Sequence, residues 1–336
     1  MPAVCWEGQS YQLNIHGGDN ESVLDALLRN GAAVSYACKA GTCGSCMLRA
    51  ASGVVPPRAQ AGMKDSWKMQ GYFLACVCQP ETDLTVTTVA AETLIGASIV
   101  SLNDLSANVK QVRLRCDVPF DFHAGQYLTI IREGGLARSY SIASLPDEGD
   151  LELHVRRILN GRMSGWLHDG ARLGDKVTIL GPSGECFYAP GREDQPLLLA
   201  GTGTGLAPLW GVLRDALHNR HRGPIHVFHG AVDEGGLYLC DELRDLAQDH
   251  EQVTYTPVLL KGKPSPGNAI GAIDRIILER FPKLAGWRAY VAGDPGVVQS
   301  LRKQLFLAGA GSRDIFADAF LPSAGRQTFP REPNPP

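Results

Sequence analysis

Hydrophobic and polar positions change rhythm three times along the chain. SYQLNI (10–15) alternates with period two, as a half-buried strand does. Ser22-Val-Leu-Asp25 then reads as a capping box opening the helix VLDALLRN, which Gly31 ends. MLRAASG (47–53), GYFLACVCQP (71–80) and LTVTTVA (84–90) return to strand-like spacing, which predicts a small α+β domain over 1–93. Next come VKQVRLRC (109–116), GQYLTIIR (125–132), SYSIAS (139–144), LELHVRRI (151–158) and DKVTILGP (175–182). Pro119, Gly134-Gly135, Gly149 and Gly174 punctuate them, and one helical patch, MSGWLHDGA (163–171), interrupts them. Short strands so punctuated predict an antiparallel barrel or sandwich over 94–192. From 193 to 321 strands and helices alternate. PLLLA (196–200), IHVFHGAV (225–232), TYTPVLL (254–260) and RAYVAG (288–293) are the strands. LWGVLRDALHN (209–219), YLCDELRDLAQD (238–249) and VVQSLRKQLFLA (297–308) are the helices, and the alternation predicts a doubly wound, mainly parallel sheet. Residues 322–336 carry five prolines and no apolar pattern, so they read as a loose tail.

Composition narrows the function without naming it. The 336 residues are 44% hydrophobic and 20% charged, an ordinary globular balance that suits three small domains. A net charge of −3 argues against a nucleic-acid binder, and no apolar run reaches the length of a membrane helix. MPAVCWEGQSYQL shows no basic segment followed by an apolar one, so the reading is cytoplasmic. Nine cysteines without an export signal point to ligands or core residues rather than disulfides.

Cys38, Cys43 and Cys46 are spaced C-x4-C-x2-C in the loop CKAGTCGSC. Three thiolates must converge there while the backbone turns its N–H groups toward sulfur; Gly41 and Gly44 permit the turn, and Ala40, Thr42 and Ser45 are small enough not to obstruct it. The x4 spacing favours a [2Fe–2S] cluster over a zinc ribbon. Such a cluster needs a distant fourth thiolate, for which Cys76 and Cys78 compete. The segment resembles plant-type ferredoxins, and the resemblance, carried by YFLAC (72–76), implies Cys76 as the fourth ligand and a β-grasp-like fold. Cys5, Cys116, Cys186 and Cys240 read as core residues.

Arg138-Ser-Tyr140-Ser141 sets a fork for phosphate and a flat ring on one face of a strand, with the Ser141 hydroxyl opposite. His154-Val155-Arg156 occupies the next strand, and Gly161-Arg-Met163-Ser164 opens the helical patch, where a serine-capped helix start suits a pyrophosphate. Together these look like the flavin domain of the ferredoxin–NADP reductase superfamily, which implies FAD bound by Arg138, Tyr140, Ser141, His154, Val155, Arg156, Gly161, Met163 and Ser164.

Gly201-Thr202-Gly203-Thr204-Gly205-Leu-Ala-Pro208 follows a strand and precedes a helix. It is not a Rossmann G-x-G-x-x-G, because position 206 is leucine, yet its backbone N–H groups and hydroxyls suit a pyrophosphate. It resembles the GGGTGLAP-type nicotinamide loop of the same superfamily. Asp233 and Glu234 would repel an adenosine 2′-phosphate, so NADH is expected over NADPH. GWRAYVAGDP (286–295) and IFADAF (315–320) extend the likeness to nearly the whole chain. It resembles reductase components of bacterial ring-hydroxylating dioxygenases, especially the naphthalene dioxygenase type. That resemblance implies that Phe320 approaches the flavin face that the nicotinamide must occupy, and makes Ser141 and Phe320 the catalytic candidates. It also marks a departure: the family's cysteine beside the nicotinamide is Ala292 here.

NADH delivers two electrons as hydride and a [2Fe–2S] cluster accepts one; a flavin receives two and releases one at a time. The chain therefore reads as an NADH-dependent reductase for electron transport in aromatic-hydrocarbon breakdown. The expected partner is a ferredoxin or a Rieske-type oxygenase, and the expected state a monomer. The same build could serve a diiron monooxygenase or a deoxysugar dehydratase, and a redox-sensing interaction protein is the reading from a different class.

Overall fold

The computed structural model describes residues 2–13, 15–16, 19–63, 65–89, 94–132, 136–262 and 267–321. The Gly134-Gly135 turn and the tail after Leu321 lie outside them.

The N-terminal region contains β1 (Ala3–Trp6), β2 (Gln9–Gln12), a separate two-stranded pair β3 (Ile15–His16) and β4 (Asp19–Asn20), helix α1 (Val23–Arg29), β5 (Met47–Ser52), α2 (Asp65–Met69), β6 (Tyr72–Leu74) and β7 (Leu84–Thr87). The five-stranded order is β2-β1-β7-β5-β6, with β1 and β7 parallel. The capping box holds: the Ser22 hydroxyl accepts the N–H of Asp25 at 3.1 Å. Leu24 and Leu27 of α1 pack fully buried with Val4, Trp6 and Phe73 of the sheet. Each such side chain contributes about 1.5–3 kcal/mol by leaving water. The four-residue β1 escapes the alternation test because it is too short to show a period, yet it lies between β2 and β7.

The middle sheet contains β8 (Ile95–Ser106), β9 (Val109–Cys116), β10 (Tyr127–Ile131), β11 (Ala137–Ser141), β12 (Leu151–Arg156) and β13 (Lys176–Ser183), in the order β11-β10-β13-β8-β9-β12. An antiparallel bridge between Ile142 and Leu153 joins the two outer strands and closes the barrel. Its interior is filled by Ile99, Leu114, Leu128, Ile130, Leu153 and Val155. The helical patch is α3 (Arg162–Gly165), running into a π-helical turn over Trp166–Gly170. One expectation changes here. The residue before the helix is Gly161, which makes no side-chain cap, whereas Ser164 lies inside the first turn. The Ser164 hydroxyl accepts the Ile158 N–H at 3.1 Å, so it ties down the preceding loop instead of capping.

The C-terminal sheet holds β14 (Leu197–Thr202), α4 (Leu206–His218), β15 (Ile225–Ala231), α5 (Cys240–Asp249), β16 (Val253–Leu259), β17 (Ala269–Ile270), α6 (Ile273–Arg280), β18 (Arg288–Gly293), α7 (Pro295–Leu307) and β19 (Ile315–Ala319). All its strand pairs are parallel, in the order β17-β16-β15-β14-β18-β19. The chain leaves β14 in one direction and returns on its other side at β18, so the strand order reverses there. A ligand crevice is expected at the C-terminal ends of those two strands. Among the described residues no helix is long and apolar enough to cross a membrane.

Candidate functional site

The loop 38–46 lies between α1, which ends at Arg29, and β5, which begins at Met47. Gly41 and Gly44 both adopt φ +73°, the left-handed conformation that a side chain resists. That double reversal gathers the thiols in two contacting pairs, Cys38 with Cys43 and Cys46 with Cys76. The hydrogen bond from Cys43 pulls Cys38 down to about 4 against the opposing effect of burial, and the bond from Cys46 likewise lowers Cys76. The partner thiols are pushed up, Cys43 by its bond to Cys38 and Cys46 by its bond to Cys76, with burial adding to both. The Ala40 N–H and the Thr42 hydroxyl both donate to Cys38 sulfur, at 3.3 and 3.4 Å. Two thiol pairs and donors turned toward sulfur match a two-iron cluster, in which each iron takes two thiolates. Cys78 faces away. It is fully buried among the core residues, and burial alone pushes its thiol up to about 12.

On the barrel, Arg138 and Tyr140 share a face, as their spacing requires, and line a large cavity. The half-buried Arg138 guanidinium donates to the carbonyl of Ala137 at 2.6 Å, and burial lowers its pKa. A partly desolvated cation in a cavity wall is stabilised by an incoming phosphate, so the residue fits a flavin nucleotide. Gly161, Met163 and Ser164 border the same space, with His154 and Arg156. Val155 between them points into the barrel core, and its carbonyl takes the His168 ring N–H at 2.9 Å.

His154 is buried and fully partnered, with one ring nitrogen 2.8 Å from Glu152 and the other 3.1 Å from the Tyr238 hydroxyl. Burial works to raise the Glu152 pKa, but hydrogen bonds from His154 and Arg113 bring it down to about 2. Tyr238 also meets the ring of His229 edge-on, and His229 is 3.2 Å from the carbonyl of Gly203. A buried polar chain thus links the barrel to the glycine loop of the C-terminal sheet. Sequence reading missed Tyr238 and His229, which carry no motif.

At the crevice, Thr202, Gly203 and Thr204 line the cavity, whereas Gly201 and Gly205 are buried and do not line it. Gly205 is there for space: a Cβ would come within 2.2 Å of the Ala292 carbonyl. The Thr202 hydroxyl accepts the N–H of Asp294, the residue that caps α7. Asp233 borders the cavity beyond β15. Phe320 borders it at the other side, its N–H held by the Gly293 carbonyl at 2.8 Å. Ala292 is buried and lies opposite Asp318 in the β18–β19 register. Asp318 lies within the motif IFADAF, where sequence reading assigned it no role of its own. Its carboxyl is pushed up to about 6 by burial, partly offset by the hydroxyl of Ser141. Cys186, read from sequence as a plain core residue, also borders the cavity although it packs in the core with Tyr290 and Ala292.

The cavity, about 1850 Å³, is continuous from Cys38 and Cys43 through Arg138, Tyr140 and Ser141 to Gly203 and Phe320. Three surfaces with different chemistry face one space.

Comparison with known proteins matches the same three regions. Residues 7–81 match the 2Fe-2S iron-sulfur cluster binding domain, 97–188 the oxidoreductase FAD-binding domain, and 199–303 the oxidoreductase NAD-binding domain. The reductase component of the naphthalene 1,2-dioxygenase system of Pseudomonas putida is 34% identical over 311 residues, covering 90% of this chain and 94% of that protein. The reductase subunit of an aromatic O-demethylase from Amycolatopsis is 32% identical, covering 90% of this chain and 95% of the relative. A crystal structure of an Amycolatopsis cytochrome P450 reductase superposes with a TM-score of 0.68 at 30% identity, covering 96% of this chain and 99% of the other.

Proposed function

This chain belongs to the ferredoxin–NAD(P)+ reductase family in its form with a 2Fe-2S domain, and on that premise we propose that it moves electrons from NADH to a ferredoxin or a Rieske-type aromatic-ring-hydroxylating oxygenase. It is an oxidoreductase with regions for a [2Fe–2S] cluster, FAD and NAD. The observation that carries the proposal is the single cavity shared by the thiol loop, the Arg138–Ser141 strand and the Thr202–Thr204 loop. The working domains in this reading are 1–93, 94–192 and 193–321.

When bound, the flavin takes two electrons as hydride from NADH and releases them one at a time toward the cluster. The residues organise that exchange. Arg138 supplies charge for the flavin phosphate and Tyr140 a ring for stacking, with the backbone around His154–Arg156 beside it. The start of the 161–170 helical run adds N–H groups for the second phosphate of FAD. Thr202, Gly203 and Thr204 offer hydroxyls and N–H groups to the nicotinamide pyrophosphate. Phe320 borders the cavity on the side where the nicotinamide would meet the flavin, and the Ser141 hydroxyl would hold Asp318 beside it. Cys38, Cys43, Cys46 and Cys76 ligate the cluster. Asp233 disfavours a 2′-phosphate.

The test uses purified, cofactor-loaded protein. NADH-dependent reduction of cytochrome c that is lost in Cys43→Ser, with ferricyanide reduction retained, supports the reading; no NADH oxidation with either acceptor overturns it. The relatives named above serve different acceptors, so reconstitution with candidate oxygenases identifies the partner. Stable reduction by NADH without onward transfer to any acceptor would favour a sensor instead.

A further inference from the structure

The cluster loop is held on the barrel by side-chain hydroxyls. β10 and β11 pair antiparallel with Thr129 directly opposite Ser139, so the two hydroxyls stand side by side at 2.9 Å. Both reach one atom. Thr129 Oγ1 donates to the carbonyl oxygen of Cys43 at 2.9 Å, and Ser139 Oγ lies 3.2 Å from the same oxygen. Two residues earlier on the same face of β10, the Tyr127 hydroxyl donates to the carbonyl of Thr42. Neither carbonyl takes a backbone N–H among the described residues. With Gly41 and Gly44 both in the left-handed region, the loop has turned these groups outward. They depend on the barrel for their partners. Leu180 and Ile131 of the barrel pack against the same N-terminal core, so the contact is anchored by apolar burial as well.

Ser139 stands between Arg138 and Tyr140, the residues assigned above to the flavin. Thr129 is buried, with 2% of its surface exposed. The strand that carries the flavin residues is therefore the strand that grips a cluster cysteine. We propose that Thr129 and Ser139 are positioning residues for the one-electron step between flavin and cluster. They fix the Cys43 side of the cluster loop against the flavin strand, so that one electron leaves the reduced flavin and one ferric iron becomes ferrous at a set distance. Tyr127 holds the adjacent carbonyl in the same register. Neither hydroxyl takes part in hydride delivery, which occurs on the Phe320 side of the cavity. This inference rests on the assignment of the cluster to Cys38, Cys43, Cys46 and Cys76.

Thr129→Val keeps the β-branched shape and removes the donor, Thr129→Ser restores the hydroxyl, and Ser139→Ala removes the second donor. Hydrogen–deuterium exchange of oxidised, cofactor-loaded protein reads the loop directly. Exchange at 40–46 rises in Thr129→Val and returns to the wild-type level in Thr129→Ser. In anaerobic single turnovers with NADH, flavin bleaching keeps its wild-type rate in Thr129→Val. Cluster bleaching slows about fivefold, the factor that one hydrogen bond of ordinary strength commands, and adding Ser139→Ala slows it further. Unchanged cluster bleaching, or an equal loss of both rates, overturns the proposal. A wild-type protein without cluster absorbance would overturn the parent reading and this one with it.

Discussion

The hydroxyl of Ser141 donates to Oδ2 of Asp318 across 3.3 Å, joining β11 of the barrel to the last strand of the C-terminal sheet, 177 residues away. Ala292 lies beside Asp318 on β18, and Phe320 follows two residues on. The contact therefore stands where the barrel and the nicotinamide region meet.

Burial pushes Asp318 up to about 6 from an ordinary 3.8, so the folded protein binds this proton more tightly than the unfolded chain does. The stabilisation is fully present below about pH 4 and is lost as pH rises through 6. The interval corresponds to about 3 kcal/mol. Asp318→Asn is expected to melt higher than wild type at pH 8, with the gap closing toward pH 4. NADH oxidation by the wild type is expected to show an inflection near pH 6 that vanishes in the variant. Thermal melts and rate profiles between pH 4 and 8 check both; an inflection that survives in Asp318→Asn removes Asp318 as its source.

Cys76 and Cys78 are two residues apart and have opposite surroundings. Cys76→Ser should lose the visible cluster absorbance, because Cys46 then has no thiolate partner. Cys78→Ser should retain that absorbance and unfold more easily, by about 1–3 kcal/mol, since a hydroxyl replaces a thiol in an apolar core. Absorbance spectra with denaturant titrations decide it, and loss of the cluster in Cys78→Ser alone would reverse the assignment.

Ala292 stands where the family resemblance expects a cysteine, buried opposite Asp318 in the β18–β19 register. Ala292→Cys restores a thiol there, and flavin reduction by NADH should accelerate. Stopped-flow traces that match wild type would show that the thiol has no positioning value in this protein.

Asp233 borders the cavity beyond β15, with Glu234 next in the chain. NADH should be used with higher kcat/KM than NADPH. Asp233→Arg exchanges a repulsive charge for a fork that fits phosphate, and should shift the ratio toward NADPH by about tenfold or more. Equal efficiencies with the two coenzymes in wild type would defeat this reading.

Much of the architecture is legible along the chain. The C-x4-C-x2-C spacing, the R-x-Y-S strand and the GTGTGLAP turn are each local, and local spacing determines which side chains converge within one loop or share one strand face. The α1 capping box and the α/β alternation are legible for the same reason. Elements whose pattern is too short or too mixed escape that test: β1 with four residues, β8 with its interspersed serines and glycine, and α6. The choice of Cys76 over Cys78 needed more than spacing, because both follow the same strand. The resemblance supplied the choice, and the tertiary structure supports it by turning Cys76 toward Cys46 and sealing Cys78 in the core. Tertiary structure also made Ser141 meet Asp318, Thr129 grip Cys43, and Tyr238 bridge His154 and His229. Periodicity states which face a side chain occupies, but the residue opposite it is set by barrel closure and by the packing of three sheets around one cavity, and those are long-range events that no local pattern encodes.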